Sequence, residues 1–191
     1  MLLKDRKIAV IDTETTGLDP DTNEILEIAI YIPKDNLRWV RKIKPEHIET
    51  AHPKALEVNG YTPEAWEGAG SALEVLTEAN KILKGCVPLG QNITFDIGFY
   101  KATCARAGLK PTFDFRHVEL YTLAYIHLVP HGLNSLSLVN VCDFLGIGNE
   151  GAHTAMSDVD RTWLAYSMLR KPSVLDRARW AWKGLLLKHR S

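Results

Sequence analysis

The sequence predicts an α/β domain, a mixed central β-sheet flanked by α-helices, on three observations. Apolar, β-branched runs come first, over residues 7–13, 24–32 and 37–44. Helical spacing takes over from Pro53, and one further strand pattern at 87–90 interrupts it. Strands first, then helices that enclose a later strand, imply a single sheet covered by helices.

Each element has its own local reason. Residues 7–13 (KIAVIDT) read as a buried strand ended by Gly17 and the Asp19-Pro20-Asp21 turn. The runs at 24–32 and 37–44 flank Pro33-Lys34-Asp35-Asn36, a turn sequence, so the first three strands form an antiparallel meander. Pro63, Ser71, Thr94 and Ser135 are the expected helix starts. Residues 1–170 are expected to form the main domain. In the remaining 171–191, Leu175, Ala178, Trp182, Leu185 and Leu186 recur at helical spacing and should face the body or a partner.

Composition narrows the class. The 191 residues are 46% hydrophobic and 24% charged, near the globular average, which argues against disorder and fibrous architecture. Basic and acidic residues balance at 23 each, so an electrostatic signal has to be local. Three cysteines without a CxxC pair disfavour both a zinc site and a disulfide framework and suit a reducing cytoplasm. No apolar run approaches the ~20 residues of a membrane span, and Asp5 interrupts the N-terminus before a signal-like stretch develops.

The chemistry lies in acidic residues. Asp12 and Glu14 close the first strand two residues apart, so a continuing strand sends both to one face about 6.6 Å apart. At an effective dielectric of 20 they repel by roughly 2.5 kcal/mol. The preceding IAVI run implies partial burial, so a cation is expected between them; a solvated loop is the ordinary alternative for a bare Asp-x-Glu. Asp96 and Asp158 each fall near a helix start, where either alone would serve the helix dipole. His153 alone would be a surface or hydrogen-bonded histidine.

Together, four carboxylates and one imidazole from separate elements suit two divalent cations, and oxygen donors favour Mg²⁺ or Mn²⁺ over zinc. Two such ions roughly 3.5–4 Å apart clamp the attacking and leaving oxygens of a phosphoryl displacement. His153, with an ordinary pKa near 6.5, could take the proton from the attacking water. The phosphate-cradling motifs GxxxxGK[ST] and GxGxxG are absent.

These segments, in order, resemble the three motifs of the DnaQ-like 3′ to 5′ exonucleases of the DEDD superfamily, whose fold is similar to ribonuclease H. Residues 12–18 (DTETTGL) resemble the first motif, 92–99 (NITFDIGF) the second, and 153–158 (HTAMSD) the third; the similarity spans about 7–169. Four residues separate His153 from Asp158, the spacing of the histidine subtype. The resemblance implies that Asp12, Glu14 and Asp158 hold one ion, that Asp12 also serves the second, and that Asp96 contributes directly or through water. It makes His153 the general base. It places Thr15, Gly17 and Leu18 against the terminal nucleotide, with Leu18 wedged at the last base, and adds Asn59, Asn92 and Phe95 as substrate contacts. A turn is an equal alternative for Gly17, and an Asx helix cap for Asn92. Gln91 departs from the family, many of whose members carry His before the Asn. Asp160 should point to another helix face and be solvated.

The resemblance therefore implies release of nucleoside 5′-monophosphates from single-stranded or frayed 3′ ends. The TETTGL wording is closer to proofreading-type DNA enzymes, with RNA or short oligonucleotides as the alternative substrate. A polymerase or another replication or repair protein is an expected partner, and a nucleic-acid-binding or polymerase-partner module without turnover is the reading from another class. Residues 170–191 carry seven cations against Asp176. Trp180 among them could stack on bases, while a basic surface helix with Trp182 and the leucines turned inward is the plainer reading.

Overall fold

A computed structural model describes residues 5–148 and 154–188, the last three by backbone alone. Five strands form one sheet in the order β3-β2-β1-β4-β5: β1 (Ile8–Thr15), β2 (Ile25–Ile32), β3 (Leu37–Lys42), β4 (Val87–Gly90) and β5 (Val118–Glu119). The β1–β2 and β2–β3 pairs are antiparallel, and β1–β4 and β4–β5 are parallel. This is the mixed sheet that the sequence predicts. The meander turn is a 3₁₀ turn at Pro33–Asp35, closed by Asn36 in the left-handed region at φ 48°. β5 and the helix after it are additions to the sequence reading.

Two helical layers cover the sheet. On one face, Ala9 and Ile11 of β1 and Ile28, Ile30 and Ile32 of β2 pack against α2 (Ala72–Leu83) and α3 (Ile93–Arg106). On the other face, Val10, Ala29, Tyr31 and Leu89 meet Ala155 and Val159 of α6 (Ala155–Leu169). β1 thus alternates between two cores along its length, the two-residue period of a strand buried on both sides. A third cluster joins α4 (Leu120–Leu128), α5 (Leu138–Leu145) and α6 through Leu120, Leu128, Val141 and Leu169. A short helix, α1 (Pro53–Val58), stands beside the C-terminal end of β1.

Helix starts follow local capping chemistry. Ser71 and Glu74 form a reciprocal capping box that begins α2. The start expected at Ser135 moves to Ser137, whose side chain accepts from Asn140 N at 3.3 Å. Near Pro63 the chain makes only the 3₁₀ turn Glu64–Trp66. Cys86, Cys104 and Cys142 are buried free thiols. Among the described residues, no helix is long and apolar enough to cross a membrane.

The last helix, α7 (Val174–Lys188), docks on the body by a face other than the stripe expected to meet the body or a partner. Trp180 is buried in the third cluster, whereas Leu175 is 80% and Trp182 66% exposed, and Ala178 and Leu185 also face outward. The side chain of Leu186 lies outside the described part. Steric and polar contacts override the apolar stripe. A Cβ on Gly184 would lie 2.4 Å from the His131 carbonyl oxygen, so only glycine allows that approach. Lys183 Nζ donates to the carbonyls of Asp143 and Phe144, 3.0 and 2.9 Å away, at the end of α5, where a cation is favoured by the helix dipole. Residues 180, 183 and 184 therefore define the docked face. Trp180→Ala should cost about 3 kcal/mol in denaturant unfolding, and Trp182→Ala should stay within roughly 0.5 kcal/mol; the opposite order would contradict this docking.

Candidate active site

The site forms where β1 outlasts its parallel neighbour. The β1–β4 ladder ends at Val10↔Leu89, and β1 runs on to Thr15 against β2 alone. Alternation then sends Asp12 and Glu14 toward α6 and Thr13 toward α3. On the first side, Asp158 enters from the first turn of α6, capped by Thr154, whose side chain accepts from Ser157 N. Carboxylate oxygens of Asp12, Glu14 and Asp158 all lie within 4.8 Å of one another. On the second side, Asp96 of α3 is buried, and its Oδ1 accepts from the backbone N and hydroxyl of Thr13 at 2.9 and 2.8 Å. Asp96 thereby takes the hydrogen bond that a longer β4 would have made.

Crowding sets the electrostatics. Burial, then the charges of Asp96, Asp158 and Glu14, push Asp12 well above the usual carboxylate range, opposed by Arg161. Burial, followed by Asp158 and Glu27, pushes Glu14 up to about 7. Asp96 also rises to about 7, chiefly through burial, despite the two hydrogen bonds from Thr13. At 4.8 Å and an effective dielectric of 20, each ionised pair repels by about 3.5 kcal/mol. Three such pairs approach the whole stability of an ordinary domain. The cluster must therefore hold protons or a cation when folded. Arg161, buried on the next turn of α6, pairs with Asp158 and offsets one charge. Three carboxylates of this kind form a hard oxygen donor set, which fits a divalent cation.

His153 lies outside the described residues. Of the nucleotide-contacting candidates, Thr15, Gly17, Leu18, Asn59 and Phe95 line one cleft of about 780 Å³ that begins at Glu14. Leu18 projects there, 84% exposed. Asn59 Nδ2 donates to the Thr15 carbonyl at 2.8 Å, and His52 N to the Thr16 carbonyl at 2.7 Å, which ties the α1 segment to the loop after β1. The space beside Gly17 is filled by Asn23, whose Oδ1 would be 2.3 Å from an added Cβ. Asn92 stands outside the cleft lining at the start of α3. Its side chain makes no capping bond and its φ is 60°, so the Asx cap is replaced by Glu119 of β5. Gln91 donates to the Leu136 carbonyl. Asp160 pairs with Arg38 at 3.1 Å, on a different side of α6 from Asp158.

Two carboxylates that sequence reasoning passed over belong to this neighbourhood. Glu27 lies opposite Glu14 in the β1–β2 register and accepts from the N–H of Ala155, the first residue of α6, at 3.3 Å. Its signal was present: it is the one charged residue in the strand ILEIAIYI. Glu119 carried no comparable mark.

The RNase_T exonuclease family matches residues 9–166. Ribonuclease T of Shewanella frigidimarina (strain NCIMB 400) is 30% identical over 175 residues, covering 80% of this chain and 77% of its own. A PolC-type DNA polymerase III of Thermotoga maritima is 33% identical over 158 residues, 81% of this chain but only 11% of that protein. Among solved structures, Escherichia coli Exonuclease I in complex with a dT13 oligonucleotide superposes with a TM-score of 0.73 at 22% identity. It covers 98% of this chain, which spans 44% of that one.

The raised carboxylates give stability a definite pH dependence. Because their folded values lie above those of an unfolded chain, the native state binds extra protons between roughly pH 4 and pH 7. Cation-free stability should therefore fall as pH rises across that window. Mn²⁺ competes with those protons, so its stabilising effect should grow with pH. Melting curves at pH 5 and pH 8 with and without Mn²⁺ check both signs. Asp12→Asn should remove most of the Mn²⁺-induced rise, and an equal rise in the variant would place the ion elsewhere.

Proposed function

The chain belongs to the RNase T exonuclease family and is a 3′ to 5′ exonuclease of the DnaQ-like type, and we propose that it removes nucleoside 5′-monophosphates from single-stranded or frayed DNA ends using two divalent cations, Mg²⁺ or Mn²⁺. The observation that carries this reading is the convergence of Asp12, Glu14 and Asp158 within 4.8 Å, with Asp96 fastened to the same strand through Thr13. Asp12, Glu14 and Asp158 would hold one ion. Asp12 would share the second with Asp96. Bound cations supply positive charge to the attacking and leaving oxygens of the phosphodiester. His153 takes the proton from the attacking water, and the last P–O3′ bond breaks to release a 5′-monophosphate and a new 3′-hydroxyl.

The cleft supplies the positioning. Exposed Leu18 is suited to wedge against the last base, with Phe95 lining the same cleft. Thr15, Gly17 and Asn59 would meet the terminal nucleotide, and Asn92 the strand behind it. Residues 1–170 would form the catalytic unit, with 171–191 appended to it. The domain-sized match within a polymerase supports a polymerase or repair partner.

RNA is the second reading, favoured by a match to ribonuclease T across most of that enzyme's length. The difference rests on room for the 2′-hydroxyl. A gel time course with 5′-labelled single-stranded DNA and matched RNA, with Mg²⁺ or chelator, decides. The expected result is a DNA ladder that shortens from the 3′ end and is lost with chelator and in Asp12→Ala. Preferential shortening of RNA would select the second reading, and intact substrates would leave a binding module.

The proton-transfer role has its own signature. With His153 as base, activity should fall as pH drops through about 6.5, and His153→Ala should lose that inflection along with about 10²-fold or more of the rate. An unchanged pH profile in the variant would assign the base elsewhere.

A further inference from the structure

Asp96 depends on a helix turn that its own sequence does not cap. The backbone N–H groups of Asn92 and Ile93 donate to the two oxygens of Glu119 at 2.8 and 2.9 Å, and Tyr121 N donates to Oε1 at 3.2 Å. Glu119 ends β5, the edge strand beside β4. A helix that needs only a cap takes one from the preceding residue, as Ser71 provides for α2. A two-oxygen grip from another strand does more, because two contacts fix both the position and the rotation of the first turn. The charge-assisted bonds also act where the helix dipole favours an anion. Asp96 follows Ile93 by three residues, about 4.5 Å of helical rise, and Thr13 holds its far side. The turn is thus anchored to β5 at its start and to β1 at Asp96.

We propose that Glu119 is a positioning residue for the exonuclease reaction, its bidentate grip on Asn92 and Ile93 holding Asp96 at the distance from Asp12 that cation binding requires. This rests on the reading of Asp96 as a site residue. The same device recurs at α6, where Glu27 takes one N–H of the turn that carries Asp158, at 3.3 Å. Both aspartate-bearing helices are therefore tied to the sheet by a glutamate, from β5 for α3 and from β2 for α6.

The test compares Glu119→Ala, Glu119→Gln, Asp96→Asn and Ser71→Ala in the full chain, below the lowest melting midpoint. Mn²⁺ affinity is read by titration calorimetry, and kcat and KM on a 5′-labelled oligonucleotide. Glu119→Ala should weaken Mn²⁺ binding and lower kcat, each by ten- to a hundred-fold, with KM changed less than about two-fold. Glu119→Gln keeps one acceptor oxygen and should recover part of both losses. Ser71→Ala removes the cap of a helix that bears no site residue and should lower only the melting temperature. Native Mn²⁺ affinity and kcat in Glu119→Ala, alongside an inactive Asp96→Asn, would make Glu119 an ordinary cap and overturn the proposal. A fully active Asp96→Asn would overturn the reading of Asp96 and the proposal with it. If Glu119→Ala does not fold, Glu119→Gln decides, since native values for both quantities there would also overturn it.

Discussion

The two-residue period of β1 is the constraint on which the site depends. Over Ile8–Ile11 the alternation feeds two separate cores. Past the end of β4 the same alternation continues with polar side chains, so one strand end reaches into both helical layers. Asp12 and Glu14 meet α6, and Thr13 meets α3 through Asp96. A one-residue slip of register would exchange the two faces and disperse the cluster. The apolar alternation from Ala9 to Ile11, with Tyr31 opposite Val10 and Ile30 opposite Ile11, specifies the register strongly, and the core thereby sets the geometry of the carboxylates.

Bringing these acids together works against folding, and the surroundings show how the conflict is contained. Arg161 offsets Asp158 from the same helix, and burial favours the protonated forms of Asp12, Glu14 and Asp96. Carboxylates raised to about 7, as Glu14 and Asp96 are, can exchange protons for a cation close to neutral pH, and Thr13 and the two helix starts already hold the acidic side chains in place. The rigid part of the site is the sheet end. The cleft beyond it is built from the loop after β1 and the α1 segment, which are tied together by Asn59 and His52.

Much of this was legible in sequence, for physical reasons that differ by element. Val87–Gly90 reads as a strand because it is short, apolar and ended by glycine, and the structure has it with the same bounds. Ser71 and Glu74 announce α2 because a capping box is purely local. β5 is two residues long and gains its identity only from pairing with β4. α4 is apolar on most of its circumference, so no periodicity marks it. Trp180 and Trp182 exchange roles because Gly184 and Lys183, rather than the widest apolar stripe, choose the docked face. In the site, the carboxylates are legible because chemistry demands those residue types. Glu27 is marked in sequence by its charge within an apolar strand, but its bond to α6, like the bonds of Glu119 to α3, joins groups distant in sequence that only the fold brings together.

The most direct measurement of the central claim is the anomalous-scattering map of crystals grown with Mn²⁺ and a short single-stranded oligonucleotide. The account predicts an Mn²⁺ peak within about 2.0–2.3 Å of oxygens from Asp12, Glu14 and Asp158, a second peak shared by Asp12, and the 3′ end of the oligonucleotide in the cleft beside Leu18. Mn²⁺ bound away from these three carboxylates, or a 3′ end seated outside that cleft, would contradict it.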